Sequence, residues 1–201
     1  QYGLDVTVLA RQPVPFAKQF GDSVGKAILA LHEANGVVYR TAGEAVQIEG
    51  TTRVEAVRLD NGQRVPADLV LVGIGVTPAT VAFADLPKEK DQSLQVDGGM
   101  RVTDGLWAAG DIATFPLNGQ PQRIEHWRLA QQQARIAAAN MLGGDEHYLD
   151  VPYFWTWHFG KNYDYLGHAQ GWDEVEFKGD PSNPPFIGLF GKSGVVTAAV
   201  A

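Results

Sequence analysis

Residues 101–111 read Arg-Val-Thr-Asp-Gly-Leu-Trp-Ala-Ala-Gly-Asp (RVTDGLWAAGD). The pattern is a short strand that ends in small residues, with the carboxylate of Asp111 just past its C-terminal edge. Small residues let a ligand approach the backbone, and open α/β sheets bind their ligands at this edge. A carboxylate placed there can accept hydrogen bonds from sugar or polyol hydroxyls. Taken alone, Gly110-Asp111 reads equally as a strand end with an ordinary Asp turn. The eleven residues together are far more specific than the pair.

Working outward from this string, a polar loop leads to His126–Leu142, a long helical pattern rich in Ala and Gln that Gly143-Gly144 stops. On the other side, a loop spans Pro87 to Met100, and Asp68 to Ile74 (DLVLVGI) is nearly all apolar, as in a strand buried on both faces. Gly73, Gly75 and Pro78 close that strand with a turn. Ala45–Ile48, Val54–Leu59 and Arg64-Val65 alternate apolar and polar residues, with Asp60-Asn61-Gly62 as a hairpin signal, and form a meander. Val6–Leu9 reads as a short buried strand, followed by a loop at Pro13 and Pro15. Asp22 or Ser23 then caps a helix with apolar positions Val24, Ala27, Ile28 and Leu31, ended by Asn35-Gly36 before a strand at Val37–Tyr39. Strand, helix, strand in this order is a βαβ unit, whose helix packs on a parallel sheet. From Pro152 onward the chain is dense in aromatics and alternates through Tyr163–Leu166, Glu174–Phe177 and Phe186–Phe190, the pattern of an antiparallel module. Phe154 and Trp157 read as core aromatics of that module. The fold class is therefore α/β with an appended α+β module.

Composition narrows the function. Of 201 residues, 23 are acidic and 16 basic, a formal charge of −7. That argues against sequence-independent nucleic-acid binding, which rests on basic patches. No apolar run approaches the roughly 18 residues that span a bilayer, so no membrane association is expected. There is no cysteine, which removes disulfides, iron–sulfur ligation and a redox cysteine pair from these residues and fits a reducing, cytoplasmic compartment. His32, His147, His158 and His168 show no metal-like spacing, so no metal site is expected. The alternating acids Asp173, Glu174 and Glu176 read as a solvated face, or as a face that guides a charged partner. The chain begins without Met and both ends lie within strand patterns, so the expectation is a piece of a longer protein.

At this point the chain resembles a known family, the two-dinucleotide-binding flavoprotein reductases of the pyridine nucleotide-disulfide oxidoreductase superfamily. In that family a Thr-x-x-x-x-φ-φ-Ala-x-Gly-Asp string, with φ apolar, is the second flavin-binding fingerprint; Thr103–Asp111 is similar to it, with Leu106-Trp107 at the apolar positions and Thr103 two residues closer to them. Leu69–Pro78 (LVLVGIGVTP) resembles the last strand of the nicotinamide domain, Arg123–Met141 (RIEHWRLAQQQARIAAANM) the helix whose start lies under the isoalloxazine ring, and Val151–Gly160 (VPYFWTWHFG) the opening of the C-terminal domain. The Glu125-His126 and Phe154-Trp155 pairs point to the apoptosis-inducing-factor-like and putidaredoxin-reductase-like branch. Phe159-Gly160-Lys161 followed by Tyr165-Leu166-Gly167 points to its Rieske-fused, third-type subgroup.

The resemblance implies partial Rossmann-like FAD- and NAD(P)-binding domains. Residues 1–78 would belong to the nicotinamide domain, 79–147 to the flavin domain and 148–201 to a truncated C-terminal domain. It implies FAD and NAD(P)H as cofactors. Gly110 and Asp111 would meet the ribityl chain, Glu125, His126 and Trp127 the flavin at the helix start, Trp155 the flavin and nicotinamide, and Gly75 the nicotinamide. The strand end Leu9-Ala10-Arg11-Gln12 lacks the acid of NAD-preferring members; Arg11 suits a 2′-phosphate, and it also reads as a surface arginine. The implied reaction is hydride transfer from NAD(P)H to FAD, then electron release to an iron–sulfur acceptor of ferredoxin or Rieske type, in a monomer or homodimer. No residue of the chain is expected to act as a general base. The family's two Gly-x-Gly-x-x-Gly loops would lie upstream of Gln1. The competing reading is a non-catalytic fragment or interaction module, and the 201 residues alone are expected to hold FAD poorly.

Overall fold

The structure is a computed structural model and describes residues 3–201. It divides into two compact units: the chain up to Ile74 with Trp155–Asp164 and Ala169–Ala201, and Gly75–Phe154 with Tyr165–His168.

The first unit opens with β1 (Thr7–Leu9), α1 (Ala17–Ala34) and β2 (Val38–Arg40), and β1 pairs parallel to β2, as a βαβ unit requires. Gly21 interrupts α1 with φ 75° and ψ 167°, so the regular helix starts where Asp22-Ser23 signals it. Its Phe20, Val24 and Ile28 are fully buried. Asn35 is the C-cap and Gly36 follows at φ 83°. The meander is present as β3 (Ala45–Glu49), β4 (Ala56–Leu59) and β5 (Arg64–Pro66), all antiparallel, with a small core of Val57, Leu59 and Val65.

Two expectations fail in this unit. The strand at Val6–Leu9 is not deeply buried: Val6 is exposed and its strand has β2 as its one paired neighbour among the described residues. Residues 69–76 form no strand at all, and Leu71 and Ile74 are 92% and 91% exposed. A strand buried on both faces exists only between paired neighbours, and none of the described strands pairs with this segment.

The second unit holds β6 (Leu94–Gln95), β7 (Arg101–Thr103), β8 (Leu106–Trp107), β9 (Ala113–Leu117), β10 (Gln120–Gln122) and α2 (Trp127–Met141). The single strand expected at 101–111 is a hairpin, β7 antiparallel to β8, turning at Asp104-Gly105 with Gly105 at φ 73°. The polar loop expected before α2 is a second hairpin, β9–β10, turned by Asn118 and Gly119 at φ 51° and 74°. Asn-Gly is the strongest two-residue hairpin signal because both positions need φ > 0. The loop at 87–100 contains β6, which runs parallel to β9. Leu94, Val96, Met100, Ala113, Phe115 and Leu129 are among the residues of the unit's core.

The aromatic C-terminal stretch is antiparallel, as its alternation indicates. β11 (Tyr153–His158), β12 (Lys161–Gly167), β13 (Glu174–Asp180), β14 (Asn183–Lys192) and β15 (Val195–Val200) form a sheet in the order β11-β12-β15-β14-β13. Phe190 and Val200 are fully buried. Trp157 is not a core residue but 65% exposed, the one exposed position along β11. Among the described residues no helix is long and apolar enough to cross a membrane.

Candidate flavin-binding site

The Gly110-Asp111 turn is built by the chain around it. Ala109 is extended, Gly110 takes φ 78°, and Gly110–Ile112 makes one tight 3-10 turn. A side chain at 110 would place its Cβ 3.1 Å from the Cβ of Ala130, so the glycine serves both the positive φ and the close approach of α2. The Gly110 N–H donates to Oε1 of Gln133 at 2.7 Å, and Gln133 is 1% exposed. Asp111, next in the chain, is exposed. The second unit therefore holds the backbone of the turn fixed and leaves the carboxylate open to solvent.

The start of α2 lies against the same turn. His126 is the N-cap with extended backbone, and its Nδ1 accepts from the N–H of Arg128 at 3.3 Å. A ring that accepts at Nδ1 carries its proton on Nε2 when neutral. Burial lowers the His126 pKa and the Arg128 charge adds to this, while Asp111 opposes both. The neutral ring is thereby favoured at a helix N-terminus that already carries positive dipole charge. His126 packs beside Trp127 and Phe154 at ring separations of 5.9 and 5.8 Å, and Trp127 is 59% exposed.

Arg123 joins these pieces. Its guanidinium pairs with Asp91 at 2.5 Å and with Glu125 at 2.7 Å, and Nη1 donates to the main-chain carbonyl of Asp111 at 3.2 Å. Asp91 is held in turn by the N–H and hydroxyl of Ser93, at 3.1 and 2.6 Å. The Ser93 hydroxyl lies 2.7 Å from that of Thr114 inside the core. The Ser93 hydroxyl bond is the main cause that lowers the Asp91 pKa; burial opposes it and Arg123 adds to it. Burial works against the charge of Arg123, and its carboxylate partners outweigh that and raise its pKa.

The structure thus gathers Gly110, Asp111, Glu125, His126 and Trp127 in one unit around the start of α2. Gly75 begins the same unit, at φ 103°, with no heavy atom of the described residues within 4 Å of where a side chain would begin. Arg11 and Trp155 belong to the other unit. Arg11 pairs with Glu44 at 3.0 Å on the surface, with 81% and 57% of the two side chains exposed, and Trp155 is half-buried on β11. A cavity of about 670 Å³ in the second unit is lined by residues such as Lys88, Asp97, Arg101 and Thr103 and by none of the gathered residues. Among the described residues no cluster of His, Cys, Asp or Glu could hold a metal ion.

Sequence reading missed Gln133, Arg123 and the Asp91–Ser93 pair. Gln133 had a signal, since it lies two helical turns after His126 on one face of an Ala-rich helix. Arg123 and Asp91 had none, because their meeting depends on two loops 32 residues apart.

The family model of pyridine nucleotide-disulphide oxidoreductases matches residues 1–134. Apoptosis-inducing factor 3 of Homo sapiens is 33% identical over 98% of this chain and 34% of its own length. The anthranilate 1,2-dioxygenase system ferredoxin–NAD(+) reductase component of Burkholderia cepacia is 34% identical over 99% of this chain and 50% of its own. Among solved structures, the covalent putidaredoxin reductase–putidaredoxin complex superposes with a TM-score of 0.89 at 27% identity, covering 98% of this chain and 49% of that one. The ferredoxin reductase for the CYP199A2 system of Rhodopseudomonas palustris gives 0.87 at 29% identity, covering 98% and 50%. The chain spans between about a third and a half of the length of these relatives. With a family model that matches residues 1–134 of 201, the chain belongs to the pyridine nucleotide-disulphide oxidoreductase family.

Proposed function

We propose that the protein carrying this chain is an FAD-dependent NAD(P)H oxidoreductase that delivers electrons to an iron–sulfur acceptor of ferredoxin or Rieske type. The observation that carries the reading is the Gly110-Asp111 turn, fastened by Gln133 and abutting the N-terminus of α2. These residues fit FAD. The cradle at Gly110 excludes a side chain, the exposed Asp111 carboxylate suits polyol hydroxyls, and a helix N-terminus suits the electron-rich edge of a ring. Bound FAD would supply the hydride-accepting and electron-releasing chemistry.

The chain's own part is to bind and orient. Asp111 accepts hydrogen bonds, Gly110 keeps the approach open, and the α2 start with Glu125, His126 and Trp127 lines the ring. The low affinity of His126 for a proton keeps Nε2–H as a donor without a full extra charge. By the resemblance Trp155 meets the flavin and nicotinamide and Gly75 the nicotinamide, and Arg11 takes a 2′-phosphate after leaving Glu44, an exposed pair of the kind that holds weakly. In this reading residues 1–78 serve the nicotinamide, 79–147 the flavin and 148–201 the C-terminal domain. The acceptor class follows from relatives named as ferredoxin–NAD(+) reductase components and from the putidaredoxin complex. Its Rieske variant rests on the Phe159-Gly160-Lys161 and Tyr165-Leu166-Gly167 strings and their resemblance to the Rieske-fused subgroup, and the site of action is the cytoplasm.

The test is the near-ultraviolet and visible spectrum of the full-length protein, before and after anaerobic NADH or NADPH. Flavin bands that bleach support the reading, and the faster nucleotide decides the role of Arg11. A protein that stays colourless after FAD is supplied would sink it in favour of an interaction module.

A further inference from the structure

We propose that Arg123 is a positioning residue for this site, locking the Gly110-Asp111 turn and Glu125 into one arrangement and setting the local charge. The proposal rests on the reading that residues 110–127 hold a flavin.

Three stretches of chain that are not neighbours in sequence meet at one guanidinium. Asp91 comes from the loop before β6, the Asp111 carbonyl from the turn after β8, and Glu125 from the approach to α2. The Arg123 side chain is 17% exposed while Asp91 and Glu125 are 42% and 40% exposed, so the guanidinium is largely covered and its carboxylate partners keep contact with water. A planar fork with five donors can serve several acceptors in fixed directions, which a lysine ammonium on a flexible stem cannot. The far end of the array is anchored in the core. Asp91 is fixed by Ser93, and the Ser93 hydroxyl meets the buried Thr114 hydroxyl. Thr114 lies on β9, so the position of Arg123 is referred to the sheet and not to a mobile surface.

Charge balance gives the array a second role. Two carboxylates face one guanidinium. Without it, Asp91 and Glu125 stay as two like charges near the helix start, and the Asp111 carbonyl loses its tether. Glu125 then turns away, the turn loosens, and the site becomes a poorer host for an electron-rich ring. Lysine restores the charge without the fork, so the two roles separate in the variants.

The experiment compares wild type, Arg123→Lys, Arg123→Gln and Asp91→Asn in the full-length protein. It reads the FAD dissociation constant by flavin fluorescence, the midpoint potential by dye-coupled titration, and the thermal midpoint of each apoprotein. Arg123→Gln should weaken FAD binding by about ten- to a hundredfold, the range for losing hydrogen bonds between charged partners, and move the potential to more negative values. Arg123→Lys should recover most of the potential but only part of the affinity. Asp91→Asn, which removes a negative charge and one anchor, should weaken binding while moving the potential the opposite way from Arg123→Gln. An Arg123→Gln protein that melts lower yet keeps wild-type affinity and potential would reduce Arg123 to a structural residue and overturn the proposal. If that variant does not fold, wild-type values in both Arg123→Lys and Asp91→Asn overturn it equally. A wild-type protein that holds no flavin refutes the flavin reading itself, an outcome distinct from either of these.

Discussion

Gln133 shows how one buried side chain can fix a turn through a single backbone contact. Its buried oxygen satisfies the one backbone N–H that the positive-φ turn at Gly110 would otherwise strand in the core. Gln133→Leu keeps the volume and removes the acceptor, leaving that N–H without a partner. Stability should fall by about 1–3 kcal/mol, the cost of an unsatisfied buried donor, as read by urea unfolding. Tyr148 is the reverse case. It is 5% exposed, packs edge-on against Phe115, and its hydroxyl has no hydrogen-bond partner among the described residues. Burial, aided by Asp150 and opposed by Arg128, pushes its pKa up to about 12. Tyr148→Phe removes the orphan hydroxyl and keeps the ring, so the same unfolding measurement should show no loss, or a gain of up to about 1 kcal/mol.

At the level of elements, α1 and β11 of the first unit are joined by an unusual pair. Nε2 of His32 lies 2.9 Å from Nδ1 of His158, whose Nε2 is in turn 3.1 Å from the Thr156 hydroxyl. Phe16 meets the His158 ring edge-on, and Phe159 the His32 ring. One of the two facing nitrogens must accept, so the bond needs at least one neutral ring. Burial lowers the pKa of both below the ordinary 6.5, and for His158 the charge of His32 adds to it. A histidine with a lowered folded-state pKa takes up protons more readily in the unfolded chain. Its stabilising contribution is therefore complete above about pH 6.5 and declines as the pH falls below that value. Thermal unfolding should shift down between neutral and mildly acidic pH, and His32→Gln should flatten that dependence. A wild-type profile as flat as that of the variant would show that the pair does not titrate in this range.

For the whole molecule, the apolar run at 69–76 sets the solution behaviour. Leu69, Leu71 and Ile74 are 81%, 92% and 91% exposed, an apolar stretch of a kind that soluble surfaces rarely show. An unpaired extended segment of this composition pairs readily with another copy. The 201-residue chain should therefore associate with rising concentration in sedimentation velocity. Replacing Leu71 and Ile74 together by Ser should suppress that association while changing stability by less than about 0.5 kcal/mol, the usual range for exposed positions.

Local patterns were enough for much of this protein. The period of α1 from Val24 to Leu31, the Asn61-Gly62 hairpin and the alternation from β12 to β14 each follow from backbone sterics and side-chain direction within a few residues, so they could be read in order along the chain. The Thr103–Asp111 string identified the family for the same reason: a turn with positive φ and a close approach restricts residue choice locally. What the sequence also contained but only the structure exposed were the Asp104-Gly105 and Asn118-Gly119 turns, where one strand and one loop prove to be hairpins. The tertiary structure alone decided the rest. A run such as DLVLVGI is a buried strand only where other strands flank it, and its hydrophobicity carries no information about whether they do. The meeting of Arg123 with Asp91 and Asp111 joins stretches held apart by chain length. No spacing rule encodes it, because it arises from how β9 and α2 pack and not from either sequence by itself.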